Sequence, residues 1–186
     1  MVSLPQLWLP SLLSAVLVFV ASSLIHMVVK WHDSDYRKLP NEDEVREAVR
    51  KGSPEPGQYV LPHCPDMNDL KKPEVQQKFV QGPVGFLVLR PSGPPSMGLP
   101  LVLWFLFSLV VSFFVAYLAP RTLSPEAPYL RVFRVAGTVS FLAYAGGAVP
   151  SAIWMGKPWR SAAKDLADGL VYGLVTAGAF GWLWPR

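Results

Sequence analysis

QLWLPSLLSAVLVFVASSLIHMVV, residues 6–29, is the stretch that decides the fold. It contains no Asp, Glu, Lys or Arg, and it exceeds the roughly twenty residues a helix needs to cross the hydrocarbon of a bilayer. A cleaved secretory signal has a basic start, a shorter apolar run and a small-x-small cleavage site. This stretch has none of these, so it reads as a permanent anchor.

Three further runs repeat the pattern: residues 99–119, 135–155 and 166–184. Half of the chain is apolar (51%) and 16% is charged, and the charges collect between the apolar runs. Clustering of this kind belongs to a polytopic membrane protein rather than a soluble domain. The expected fold is an all-α integral membrane protein with four transmembrane helices and a small mixed α/β insert, residues 30–98, between the first and second. Trp8, Trp31, Trp154, Trp159, Trp182 and Trp184 lie near the ends of the runs. Indole rings there satisfy an apolar body and a polar edge together, so these six are expected as interface anchors.

The loop charges give a direction. Lys30, Arg37 and Lys38 follow the first run, and Lys157, Arg160 and Lys164 lie between the third and fourth. Arg121, Arg131, Arg134 and Arg186 fall on the other side. The bias favours a cytoplasmic insert with both termini outside, in a bacterial-type inner or energy-transducing membrane.

Within the insert, EDEVREAVRK has acids at its start and bases at its end, as a helix dipole prefers, with Asn41 as N-cap, Glu44 as capping-box partner and Gly52 as stop. KKPEVQQKF reads as a second helix with Pro73 at its first position. GQYVLP and GFLVLRP read as extended pieces. So few apolar residues make too thin a core for independent stability, and the insert is expected to lean on the membrane helices or a partner.

Several residues carry possible chemistry. His26 sits inside the first span, where a polar side chain is costly. A haem held by two histidines needs a second histidine inside the membrane, and His32 and His63 both fall in the insert. His26 alone suits a quinone contact or the single axial ligand of a chlorin pigment. Against this stands a structural reading, a ring satisfied at the bilayer edge or by a serine on a neighbouring helix. The HDSD of residues 32–35 offers His32, Asp33 and Asp35, but four residues of loop are too few to make a metal centre, so no metal is expected. His63-Cys64 lacks a CxxC partner and reads as a quiet thiol; the single cysteine also excludes an internal disulfide.

Gly169, Gly173, Ala177 and Gly181 recur every four residues and fall along one helix stripe. Ala143, Gly147 and Ser151 in the third run are the expected matching surface, so that these two spans pack as a close hairpin. Pro150 is expected to kink the third span. Asp168 is expected in the first turn of the fourth, paired with Lys164 four residues earlier.

No catalytic triad spacing, P-loop, dinucleotide-binding glycines or HExxH helix is present. No stripe of basic and aromatic residues points to nucleic acid. The absence of ionisable residues from the middle of the runs argues against ion-driven transport. The functional expectation is a non-enzymatic accessory or structural subunit of a larger respiratory or photosynthetic membrane complex. Its partners would be lipids and other membrane subunits. The alternatives are a small carrier or channel for a weakly polar solute, and a quinone, haem or pigment contact at His26.

Overall fold

The structure, a computed structural model, describes residues 2–185; Arg186, counted in the charge balance above, lies outside them. In chain order the elements are α1 (Trp8–Ser23), α2 (Glu42–Lys51), β1 (Gly57–Leu61), α3 (Pro73–Gln81), β2 (Gly85–Leu89), α4 (Gly98–Thr122), α5 (Tyr129–Ala145), α6 (Ala148–Met155) and α7 (Trp159–Trp182). The protein is mostly helical, with a small two-stranded sheet. Three helical stretches are long and apolar enough to cross a membrane, Leu4–Val29, Gly98–Thr122 and Tyr129–Met155, consistent with a membrane location. α7 is not among them. Its glycines, Tyr172 and two aspartates lower its hydropathy.

The chain divides into two compact units, Arg37–Pro95 and everything else. In the smaller one β1 and β2 pair antiparallel, Gly57 opposite Leu89 and Leu61 opposite Gly85. Asn41 makes no side-chain cap bond to α2; its amide donates instead to Glu44 Oε2 at 3.3 Å. The start of the expected insert is placed differently: Trp31–Tyr36 belongs to the larger unit.

That unit is a bundle of alternating direction. Ser14 on α1 meets Ser112 on α4, their Oγ atoms 2.8 Å apart, and Trp104 Nε1 donates to Ser22 Oγ at 2.8 Å, so α1 and α4 run antiparallel. At one end Leu7, Val115, Ala119, Val132 and Phe180 form the main apolar core. Trp184 belongs to this core, 5% exposed, with its Nε1 donating to the Ser124 carbonyl at 3.2 Å. It is therefore a packing residue of this core. Trp8, Trp154, Trp159 and Trp182 are well exposed, and Trp31 is just exposed.

The stripe on α7 packs against α5. A Cβ added to Gly169 would lie 2.7 Å from Ala145, one on Gly181 would lie 2.7 Å from the Tyr129 ring, and one on Gly173 would press on the backbone of Gly137 and Phe141 at 3.2 Å. The facing surface is thus Tyr129, Gly137, Phe141 and Ala145. Ala143 and Gly147 are exposed, Gly147 has open space in front of it, and Ser151 lies on α6 beyond the contact. Three of the four expected stripe residues, Gly169, Gly173 and Gly181, lie against α5, which meets them with Tyr129, Gly137, Phe141 and Ala145.

The break in the third span also moves. The helix is interrupted at Gly146–Gly147, where α5 ends and α6 begins. Pro150 is the third residue of α6, in a first turn whose N–H groups have no intrahelical acceptor, so a proline there costs little.

Candidate functional site at the end of α1

After Ser23 the first helix changes winding. Leu24–Val29 form a π-helical turn closed by Lys30 N–H donating to the Ile25 carbonyl at 2.9 Å. Such wide turns inside helices are rare and frequent at functional sites. Lys30 then adopts the left-handed conformation, φ 54°, unusual for a residue with a side chain. Together they swing the chain back, and Trp31–Asp35 form a short 3₁₀ turn lying on α7.

This return brings the two histidines together. The rings of His26 and His32 stack with centroids 4.9 Å apart and planes within 6°. His32 Nδ1 is 2.8 Å from Asp35 Oδ2, and its Nε2 is 2.9 Å from Asp168 Oδ2. His26 Nε2 faces the same Asp168 oxygen at 4.0 Å, while its Nδ1 is 2.9 Å from the Ser22 carbonyl, on its own helix rather than a neighbouring one. Asp168 is 5% exposed, and its second oxygen, Oδ1, is buried without a hydrogen-bond partner. The HDSD stretch divides: His32 and Asp35 enter the site and Asp33 stays exposed.

Lys164 does not pair with Asp168. Its ammonium reaches Asp35 Oδ1 at 2.6 Å, Ser34 Oγ at 2.9 Å and the Trp31 carbonyl. α7 begins at Trp159, so Asp168 is not in the first turn but more than two turns along the helix. Lys164 lies about one turn nearer the start, level with the 3₁₀ turn. The Lys164 ammonium, and after it the His32 hydrogen bond, hold Asp35 at a pKa of about 2 against the opposing effect of burial. A cavity of about 320 Å³ adjoins the cluster, lined by His26, His32, Asp35, Tyr36, Lys157, Ser161 and Asp165 among others. Lys157 and Asp165 form an ion pair across it.

A carbonyl only accepts, so His26 carries its proton on Nδ1. The ionised Asp35 likewise accepts, so His32 also carries a proton on Nδ1. Both Nε2 atoms are then turned towards one buried carboxylate. Sequence reasoning identified His26, His32, Asp35, Lys164 and Asp168 separately. What joins them is the π turn and the left-handed Lys30, and neither leaves a composition or spacing signal. Comparison with models of protein families, with characterised proteins and with solved structures found no match.

Proposed function

We propose that the chain is a four-span integral membrane protein, acting as a non-enzymatic accessory subunit that receives a transmembrane helix of a partner protein. α7 counts as the fourth span. It lies against α5, α1 and α6 and carries the longest series of buried residues, so it meets lipid least and needs the least apolar surface. Residues 37–95, the smaller compact unit, form the body of the extramembrane insert, on the cytoplasmic side by the charge bias.

The observation that carries the docking reading is an apolar groove of about 500 Å³ between α1 and α7. Its walls are Leu13, Leu17, Val20, Leu24, Leu174 and Trp182, and its small residues are Ala21, Gly178 and Ala179. Gly169, Gly173 and Gly181 are filled by α5, whereas Gly178 has nothing within 4 Å of where a Cβ would be. In a bilayer, helices associate where small residues let backbones approach, because apolar side chains gain nothing over lipid by burial alone. An unfilled glycine at the bottom of an apolar groove is the half-interface such a contact requires. The histidine–carboxylate cluster ties the end of α1 to α7 and so fixes the spacing of the two groove walls.

Native-gel migration of mildly solubilised membranes tests this. The wild-type chain is expected in a larger assembly, and Gly178→Leu, which fills the groove, is expected to migrate alone with unchanged helix content. A wild-type chain that migrates as a lipid-bound monomer overturns the reading.

One observation favours the carrier alternative. Asp168 Oδ1, Tyr172 Oη and Thr176 Oγ1 recur every four residues on α7, and with Tyr144 Oη all are buried without a partner. Tyr144 and Tyr172 pack with ring centroids 5.4 Å apart. Buried polar atoms are normally paired, and a file of unpaired ones suits passage of a small polar solute. Solute flux in proteoliposomes, abolished by Tyr172→Phe with Thr176→Val, is the result that would select it.

A further inference from the structure

The geometry points to a binding site for one divalent transition-metal ion, of the Zn²⁺ kind, held by His26 Nε2, His32 Nε2 and the Asp168 carboxylate. It concerns the cluster and stands whether or not a partner helix fills the groove.

The three ligand atoms lie within 4.8 Å of one another. A tetrahedral ion with bonds of about 2.0–2.1 Å holds its ligand atoms about 3.3 Å apart. The Asp168 oxygen is 2.9 Å from one histidine nitrogen and 4.0 Å from the other, on either side of that value. Closing the site needs His26 to turn out of its parallel stack on His32 so that both lone pairs converge. The His26 side chain is 53% exposed, which leaves it room to turn, at the cost of its stack on His32.

The chemistry of the surroundings agrees. With the Nδ1 atoms bonded to the Ser22 carbonyl and to Asp35, both Nε2 atoms face Asp168. A proton between His32 Nε2 and Asp168 Oδ2 satisfies that one pair but leaves the buried Asp168 Oδ1 without a partner; a metal ion engages all three side chains. The supporting partners are also those a metal histidine uses. His32 is backed by the Asp35 carboxylate, itself fixed by Lys164, and His26 by a backbone carbonyl; such contacts orient the ring and raise its basicity. Two nitrogens and a carboxylate suit Zn²⁺ and its neighbours better than Mg²⁺ or Ca²⁺, which take oxygen ligands. Three protein ligands leave a coordination position for water, and the cavity lined by both histidines gives it access to solvent.

The test is titration of the full-length, chelator-treated protein in detergent with Co²⁺, followed by visible absorption and then by displacement with Zn²⁺. The expected result is one Co²⁺ per chain with the intense band of a four-coordinate ion, displaced by one Zn²⁺. His26→Ala and Asp168→Asn should each weaken binding by at least about 100-fold, and Asp35→Asn, acting through His32, by about 10–100-fold. His63→Ala, in the smaller unit, should change nothing. His26 is half-exposed, so its truncation removes little packing. No band from the wild-type protein overturns the proposal without recourse to any variant. So does a band that survives both His26→Ala and Asp168→Asn.

Discussion

The imidazole of His32 and the carboxylate of Asp168, 136 residues apart in the chain, meet at 2.9 Å with side chains 15% and 8% exposed. Removing one member of such a pair strands the other in a poorly solvated place. His32→Leu should therefore destabilise the bundle by about 3 kcal/mol, within the range for broken buried pairs. The double variant His32→Leu, Asp168→Leu should recover most of that loss, because no buried charge remains. Thermal unfolding in detergent, read by circular dichroism across the four members of the cycle, measures the coupling. A double variant as unstable as the sum of the singles would show that the pair does not act as a unit.

Asp35 gives a pH prediction. Its carboxyl is held at about 2 instead of the usual 3.8, first by Lys164 and then by His32. A carboxyl lowered by folding contributes stability that is fully present above its unfolded value and is lost as pH falls through the folded one. The link between the 3₁₀ turn and α7 should stay intact at pH 5 and loosen between about pH 4 and pH 2. The infrared carboxylate stretch of isotope-labelled Asp35 reports its titration. Lys164→Met should move the midpoint upward, towards the ordinary carboxyl range.

The apolar runs were legible because a membrane helix is written in length and composition. The glycines of α7 stood out because small residues at four-residue spacing let another backbone approach closely. Their partner surface did not, since the rotation of α5 depends on where Tyr129 and Phe141 fit, and size alone does not encode that. The break at Gly146–Gly147 was hidden behind Pro150, a stronger breaker in principle but here in a first turn, where it is harmless. The site was legible only as scattered residues. His26 and His32 are six apart, a spacing that on an uninterrupted α-helix separates their faces by more than a right angle. The wider π turn and the reversal at Lys30 superimpose them. The apolar run at 166–184 was visible in the sequence, but the helix that contains it, α7, is not among those long and apolar enough to cross a membrane.

The glycines of α7 should separate into two classes on substitution. Gly169→Ala places a methyl 2.7 Å from the Ala145 side chain and 3.1 Å from its backbone, which cannot yield without moving α5. It should cost about 1–3 kcal/mol, as overpacking does. Gly178→Ala meets open space and removes a flexible helix residue, so it should be neutral or stabilising by up to about 1 kcal/mol. Unfolding midpoints of the two single variants give the comparison. Equal effects would mean that α5 and α7 do not make this contact.

Two polar contacts join α1 and α4, Ser14 with Ser112 and Trp104 with Ser22. Hydrogen bonds between membrane helices contribute about 0.6 kcal/mol on average, because the separated helices find other partners. Ser14→Ala and Ser112→Ala should each cost about that much, and the double variant no more than about the same, since either change removes the one bond. Ser22→Ala should cost more, for it leaves the part-buried Trp104 N–H without its acceptor. The ordering is the informative quantity: if Ser22→Ala proves no worse than Ser14→Ala, Trp104 has another acceptor and α4 sits differently against α1. Indole fluorescence of a variant retaining only Trp104 would follow that change directly, moving towards the red as the ring gains solvent.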